Sequence, residues 1–267
     1  MSDLLSIGSS GLRAYRDGLA TASDNIANAQ TAGYVRRTLR LEEVAASGNS
    51  PLLRAAVSPG GVQVAGVQRA VDQWVIEDSR TSISNAGRSA ARLDWLEASE
   101  RALGDGVHNV GTAATAMFNA ADTLAADPDN QTLRLSFLQS VEITTAAFRT
   151  TSSELHSVST GIASAAEARV AQVNADLFAL QKVNTALLRA RDGSTSQASL
   201  LDDRDRLLDS LSQALPVSAT FNAQGAATVH LNGSGNPVLV AGPAISALQL
   251  SVAADGRLSF QVGDDIV

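Results

Sequence analysis

The sequence predicts a mainly α protein with β: an N-terminal coiled-coil-type helix, an elongated α-helical bundle, and β-hairpin regions that end in a partial β domain at the C-terminal end. Three observations carry this expectation. Apolar residues recur at alternating three- and four-residue spacings over long stretches, as in helices that pack along a seam. The period drops to two between Val35 and Arg69 and again beyond Val217, as in half-buried strands. Aromatic residues make up only 4% of the 267 residues, and much of the apolar fraction is alanine, which suits slender bundles with close helix packing. These changes divide the chain into 1–35, the N-terminal helix; 36–69, an extended or β arm; 70–215, the helical bundle; and 216–267, the β-rich region.

The N-terminal helix places small or apolar residues at Leu5, Gly8, Leu12, Tyr15, Leu19, Ala22, Ile26 and Ala29, an unbroken a/d alternation. Its seam is thin. A lone copy buries too little apolar surface to offset the entropy of ordering its backbone, so the helix is expected to need partners and to fray without them. A polar run follows, Asn25, Asn28, Gln30 and Thr31, and then Gly33, which can take the left-handed conformation that ends a helix and turns the chain. From Val35 to Val44 the pattern alternates loosely as an extended arm or edge strand, 45–61 has the composition of a loop, and Val62–Arg69 alternates again. No GxGxxG is present and the glycines at 60–61 precede a strand, so a hairpin is expected there and not a phosphate cradle.

Helices follow over 71–103, with Ile76, Ile83, Ala90, Leu93, Leu96 and Leu103 as its seam, and over about 107–126. Asp127-Pro128-Asp129-Asn130 is a sharp break in which Asp127 can cap the next helix. That helix spans 129–190 and is about 90 Å long at about 1.5 Å per residue. Val141, Thr144, Phe148, Thr151, Leu155, Val158, Ile162 and Ala165 form its first seam; after a stutter, Val173, Leu177, Leu180, Asn184 and Leu187 form its second. Two shorter helices side by side against the long one make the bundle. Residues 191–196 form a loop, and SLLDDRDRLLDSLSQAL is a last helix with Leu200, Leu201, Leu207, Leu208 and Leu211 buried and Asp202 four residues from Arg206. Strands are expected at 217–221, 227–231, 237–240, 245–252 and, after an Asp255-Gly256 turn, at 257–262.

Composition excludes several functions. A formal charge of −7 and a pI near 4.9 argue against nucleic acid, which requires a gathered surplus of Lys and Arg. No apolar run reaches the roughly 18 residues of a membrane span, so no membrane contact is expected, and the first 30 residues lack the pattern of a cleaved secretory leader. The absence of cysteine removes disulfides, thiolate metal sites and cysteine nucleophiles. His108, His156 and His230 are isolated from one another. The acidic cluster Asp202, Asp203, Asp205 and Asp209 is interleaved with Arg204 and Arg206, which argues against a cation site. With no GxSxG and no second ligand near any histidine, neither an enzyme nor any cofactor or metal is expected.

The heptad helix running into NIANAQTAGYVRR resembles the opening of bacterial flagellar axial proteins, the rod, hook and hook-associated family. A Gly-Val-x-Val-x-x-Val-x-Arg strand follows such helices in that family, and Val62 to Arg69 fit it. The later LLDDRDRLLDSL helix, placed after a long coiled-coil helix and before strands, is similar to the FlgK-type hook-associated family. The resemblance implies a structural adaptor joining hook to filament at the hook–filament junction by self-assembly. Its partners are then the hook protein, the third hook-associated protein, further copies of itself in a helical ring or tube, and a flagellar export chaperone acting through a C-terminal part. It also implies an extracellular place in the flagellum after type III export without a cleaved signal peptide. A second β-rich domain and a returning heptad helix are expected beyond Val267, so that this chain is an N-terminal portion. The implied assembly residues are Leu5, Leu12, Tyr15, Leu19, Asn25, Ile26, Asn28, Thr31, Gly33, Tyr34 and Arg36, the seam packing in an inner tube and the polar groups bonding to neighbouring subunits or capping the helix end. The alternatives are another hook or rod protein, or a helical-bundle tail-tube or sensor module. A sensor should bring transmembrane helices, and a tail-tube protein should not carry NIANAQTAGYVRR.

Overall fold

A computed structural model describes residues 2–44, 60–104, 109–233, 235–253, 255–263 and 265–266. Most of the loop expected over 45–61, and His108, lie outside these. Helix α1 (Ser2–Ala27) leads into strands β1 (Arg37–Val44) and β2 (Gly61–Arg69), which pair antiparallel as the expected hairpin. Four more helices follow: α2 (Gln73–Leu103), α3 (Val110–Ala126), α4 (Gln131–Leu187) and α5 (Thr195–Ala214). Strands β3 (Val217–Phe221), β4 (Ala227–Leu231), β5 (Val238–Ala241) and β6 (Ala244–Ile245) form an antiparallel meander. A second sheet holds β7 (Leu248–Val252), β8 (Leu258–Val262) and β9 (Asp265–Ile266). The architecture is mainly α with β, as the periodicity indicated. The single strand expected over 245–252 is two, β6 and β7.

The helix starts are set by polar side chains that accept from otherwise unpartnered amides. Asp72 accepts from Trp74 N and Val75 N, Asn109 from Thr112 N, Asn130 from Thr132 N and Leu133 N, and Ser194 from Gln197 N. Asn130, not Asp127, therefore caps α4. Asp127 closes α3 instead, its own N–H bonded to Leu124 O, because the three residues 128–130 are needed to turn the chain before α4 can begin.

Helix α4 has 57 residues and spans about 85 Å at about 1.5 Å per residue. The shorter helices α2 and α3 follow one another along it and are not side by side. Trp95 of α2 lies over Gly161, while Ala113 O of α3 accepts from Thr144 Oγ1 at 3.0 Å. Both helices run antiparallel to α4, α2 along its later half and α3 along its start.

The core sits at the other end of α4. Val173, Leu177 and Leu180 pack with Leu208 and Leu211 of α5, with Ala227, Val229, Leu231, Leu239 and Val240 of the meander, and with Leu248 and Val262 of the second sheet. Each large side chain fully buried there contributes about 1.5–3 kcal/mol. Two asparagines of α4 join helix to sheet by imitating a neighbouring strand. Asn184, fully buried, donates to Ala227 O and accepts from Ala227 N, both at 2.8 Å; Asn174 does the same with Leu248 O (2.9 Å) and Leu248 N (2.8 Å).

The expected second seam of α4 is the inward face. The seam expected for α2 holds only in its first half: Ile76 and Ile83 are half-buried, whereas Ala90 is exposed and Leu93, Leu96 and Leu103 are each 56% exposed; Phe148 of α4 is also exposed. With the two isoleucines, α2 turns Arg80, Gly87, Trp95 and Ala102 inward. Close helix approach selects for small residues: a Cβ on Gly87 would stand 2.9 Å from Gln213 O, and one on Gly161 would stand 3.4 Å from the Trp95 ring. Beyond Ile83, hydropathy alone picks the wrong stripe.

Candidate assembly face and its buried ionic clamp

Helix α1 has two faces with opposite fates. The heptad residues Leu5, Leu12, Tyr15, Leu19 and Ile26 are between 71% and 83% exposed, whereas Ala14 is 6% exposed on the side that meets the hairpin. That side is made of small and polar residues. Ser10 Oγ accepts from Val62 N at 3.2 Å, Gly61 leaves room for it, and Gly18 lies beside Leu39. The heptad stripe is thus left open to solvent among the described residues.

The turn after α1 is tied to the chain itself. Asn25 Nδ2 donates to Arg37 O and Asn25 Oδ1 accepts from Arg37 N, both at 2.8 Å, and from Tyr34 Oη at 3.0 Å. Asn25 thus neither caps the helix end nor keeps its amide for a neighbour; it clamps α1 to the first residue of β1. Asn28 donates to Asp24 O and accepts from Thr31 Oγ1, bonds that hold the local turn. Gly33 is left-handed, with φ +78°, and a Cβ there would overlap the methylenes of Arg206, so the turn also rests on α5. Arg36 points to solvent and contributes its carbonyl, which accepts from Ala70 N at 2.9 Å.

Its neighbour Arg37 belongs to a network that sequence reasoning missed. Arg37 Nη2 donates to Asp202 Oδ2 at 2.8 Å, and Arg69 Nε donates to Asp202 Oδ1 at 2.8 Å. Arg69 Nη2 reaches Asp205 Oδ2 at 2.7 Å, Arg80 Nε reaches Asp209 Oδ1 at 2.7 Å, and Arg204 Nη2 reaches Asp205 Oδ1 at 2.7 Å. One face of α5 therefore binds β1, β2 and α2 together. Four guanidinium groups meet three carboxylates, and Arg37 Nε and Arg80 Nη1 are buried without a partner. Burial by itself pushes Asp205 up, but the adjacent Arg204 charge and the hydrogen bonds from Arg69 and Arg204 hold it below the ordinary carboxylate value. Burial lowers Arg204, against the pull of Asp205. The Arg204 guanidinium also stacks 4.1 Å from the Phe221 ring centroid, and that of Arg37 4.8 Å from Tyr34.

The expected Asp202–Arg206 pair does not form. Asp202 is turned inward and taken by Arg37 and Arg69, so Arg206 pairs with Asp203. The legible signal was the spacing: Asp202, Asp205 and Asp209 recur at three and four, which puts three carboxylates on one face of α5. Beside the network, Gly66 and Gly193 let β2 touch the loop between α4 and α5. A Cβ on Gly66 would stand 2.8 Å from Gly193 Cα, and Val67 N donates to Gly193 O at 2.7 Å. The hairpin, and with it α1, is held in one orientation on the helical region.

The helical and β regions match a family described as "Flagellar hook-associated protein FlgK helical domain" over residues 96–265, and α1 with its turn matches "Flagella basal body rod protein" over residues 5–34. Flagellar hook-associated protein 1 of Salmonella typhimurium is 27% identical over 244 residues, covering 91% of this chain and 43% of the relative. That of Escherichia coli is 27% identical over 227 residues, covering 84% and 41%, and that of Bacillus subtilis is 24% identical over 219 residues, covering 80% and 43%. The chain thus spans less than half the length of these relatives. A solved structure of the flagellar hook junction protein FlgK from Burkholderia pseudomallei shares the fold, with a TM-score of 0.55 at 20% identity, over 69% of this chain and 32% of that one. With the helical-domain match covering more than half of its residues, the chain belongs to the FlgK family of flagellar hook-associated proteins, structural components of the bacterial flagellum.

Proposed function

We propose that the chain serves at the hook–filament junction as an adaptor that joins hook to filament. Residues 1–35 then line an inner tube, 70–215 form an elongated outer domain, and the arm at 36–69 fixes the angle between them. The single observation that carries this reading is the exposed apolar face of α1, which the hairpin leaves uncovered while gripping its other side. A helix with such a face gains most of its buried area from neighbours, and heterologous contacts repeated along a helix build an open tube. The partners are further copies of the chain, the hook protein on one side and the third hook-associated protein on the other. A flagellar export chaperone is a further partner. Export proceeds through the flagellar type III route, and the assembled protein is extracellular. That the rod-type match ends at residue 34 while the hook-associated match runs on to 265 favours the adaptor over a rod subunit.

The test is made in cells expressing the full-length protein with Leu12→Ser and Leu19→Ser together. Both residues are exposed in the single chain, so the denaturation midpoint should stay where it was. The cells should carry hooks without filaments and shed flagellin into the medium. Normal filaments with stable expression of the double variant would refute the reading.

A further inference from the structure

A groove lies between α2 and α4, closed at one end by the start of the meander and by β8. Its floor is apolar, with Ala91, Ile162 and Phe260, and Trp95 forms one wall. Arg88 and Arg169 stand at its rim. Among the described residues neither arginine reaches a carboxylate, although acidic residues outnumber basic ones 27 to 20; Arg88 donates only to Asn85 Oδ1. A groove of this kind fits a rod-like partner with apolar side chains and negative charge.

The same chain presents such a surface. Leu93 and Leu96 lie on the face of α2 that points away from the groove, and Glu97 and Glu100 share that face at three- and four-residue spacing. Both leucines are exposed, and they line no groove with another element among the described residues. Glu97 is held only by a loose, exposed contact of 3.9 Å to Arg101. We propose that the leucine–glutamate stripe of one copy docks in the arginine-rimmed groove of the next copy, with Glu97 and Glu100 facing Arg88 and Arg169. Stripe and groove are different surfaces on opposite sides of one helix, so the contact is heterologous and propagates without closing on itself as a dimer. The inference rests on the reading of the chain as a self-assembling subunit, and it supplies a contact between helical domains that is independent of α1.

The chain has no cysteine, which makes disulfide trapping clean. Chains carrying Leu96→Cys and chains carrying Ala165→Cys, the second placed in the groove, are mixed and oxidised. The mixed pair should yield a covalent dimer at least about tenfold above either variant alone. Adding Arg88→Glu and Arg169→Glu to the groove chain should cut the yield about tenfold, and Glu97→Arg with Glu100→Arg on the stripe chain should restore it. Equal trapping of each variant with itself would assign the groove to an isologous dimer and overturn the proposal. Absence of the mixed dimer, or a yield indifferent to charge reversal, would also overturn it. The same trapping is repeated with Leu12→Ser and Leu19→Ser in both chains. A retained crosslink in cells that nonetheless build normal filaments would count against the α1 reading alone, and a lost mixed crosslink with α1-dependent assembly intact would count against the groove alone.

Discussion

Helices α1 and α5 are both amphipathic and both carry leucines at helical spacing, yet they invert each other's burial. In α5, Leu208 is 1% exposed and Leu211 fully buried, and even the carboxylates of Asp202 and Asp205 are covered by arginines from three other elements. In α1 the leucines stand open and the small polar face is the one that packs. The difference teaches that a hydrophobic repeat marks a surface meant for burial without saying what buries it. The partners of α5 lie in the same chain; nothing among the described residues covers the leucines of α1.

The largest effect is expected from the network that holds the hairpin to α5. Asp205→Asn leaves Arg69, Arg80 and Arg204 without their shared carboxylate and should cost about 3–5 kcal/mol in chemical denaturation, since an uncompensated buried charge is left behind. A cost below about 1 kcal/mol would mean that the arginines reach water, in the range of exposed ion pairs. The same group gives the wild-type protein an acid limb. Asp205 titrates below its ordinary value of 3.8 in the folded chain, so its contribution is complete above that value and is lost as the pH falls through the folded pKa. Denaturation midpoints followed from neutral pH into the acid range should fall for the wild type and be flatter for Asp205→Asn.

Next comes the comparison of leucines. Leu208→Ala should cost about 2–5 kcal/mol through lost transfer energy and a residual cavity, whereas Leu12→Ala should stay within about 0.5 kcal/mol in the monomer. Equal costs would show that α1 is buried in the isolated chain after all.

The smallest effect is the most local. In the monomer, amide exchange over 5–25 should be faster than over 135–185 because α1 is held on one side only, by Ser10, Asn25 and the glycine contacts. Protection of α1 equal to that of α4 would make its docking on the hairpin as firm as the bundle. It would also remove the contrast between the two regions.

Much of the architecture was legible in the sequence because it depends on contiguous residues. The seam of α1, the hairpin of β1 and β2, the second seam of α4 from Val173 to Leu187 and the leucine face of α5 each follow from a period readable within one element. So does the left-handed turn at Gly33, since a single residue's backbone freedom decides it. What only the tertiary structure decided was choice among surfaces and partners. Period alone could not say that α2 turns Arg80, Gly87 and Ala102 inward and leaves Leu93 and Leu96 outside, because α5 brings carboxylates to Arg80 and its close approach leaves no room for a side chain at Gly87. Nor could it say that Asp202 belongs to Arg37 and Arg69, residues 165 and 133 positions away, in place of Arg206 four positions on. A local pair in water gains little, whereas desolvated carboxylates must take whichever cations the docked elements bring to them.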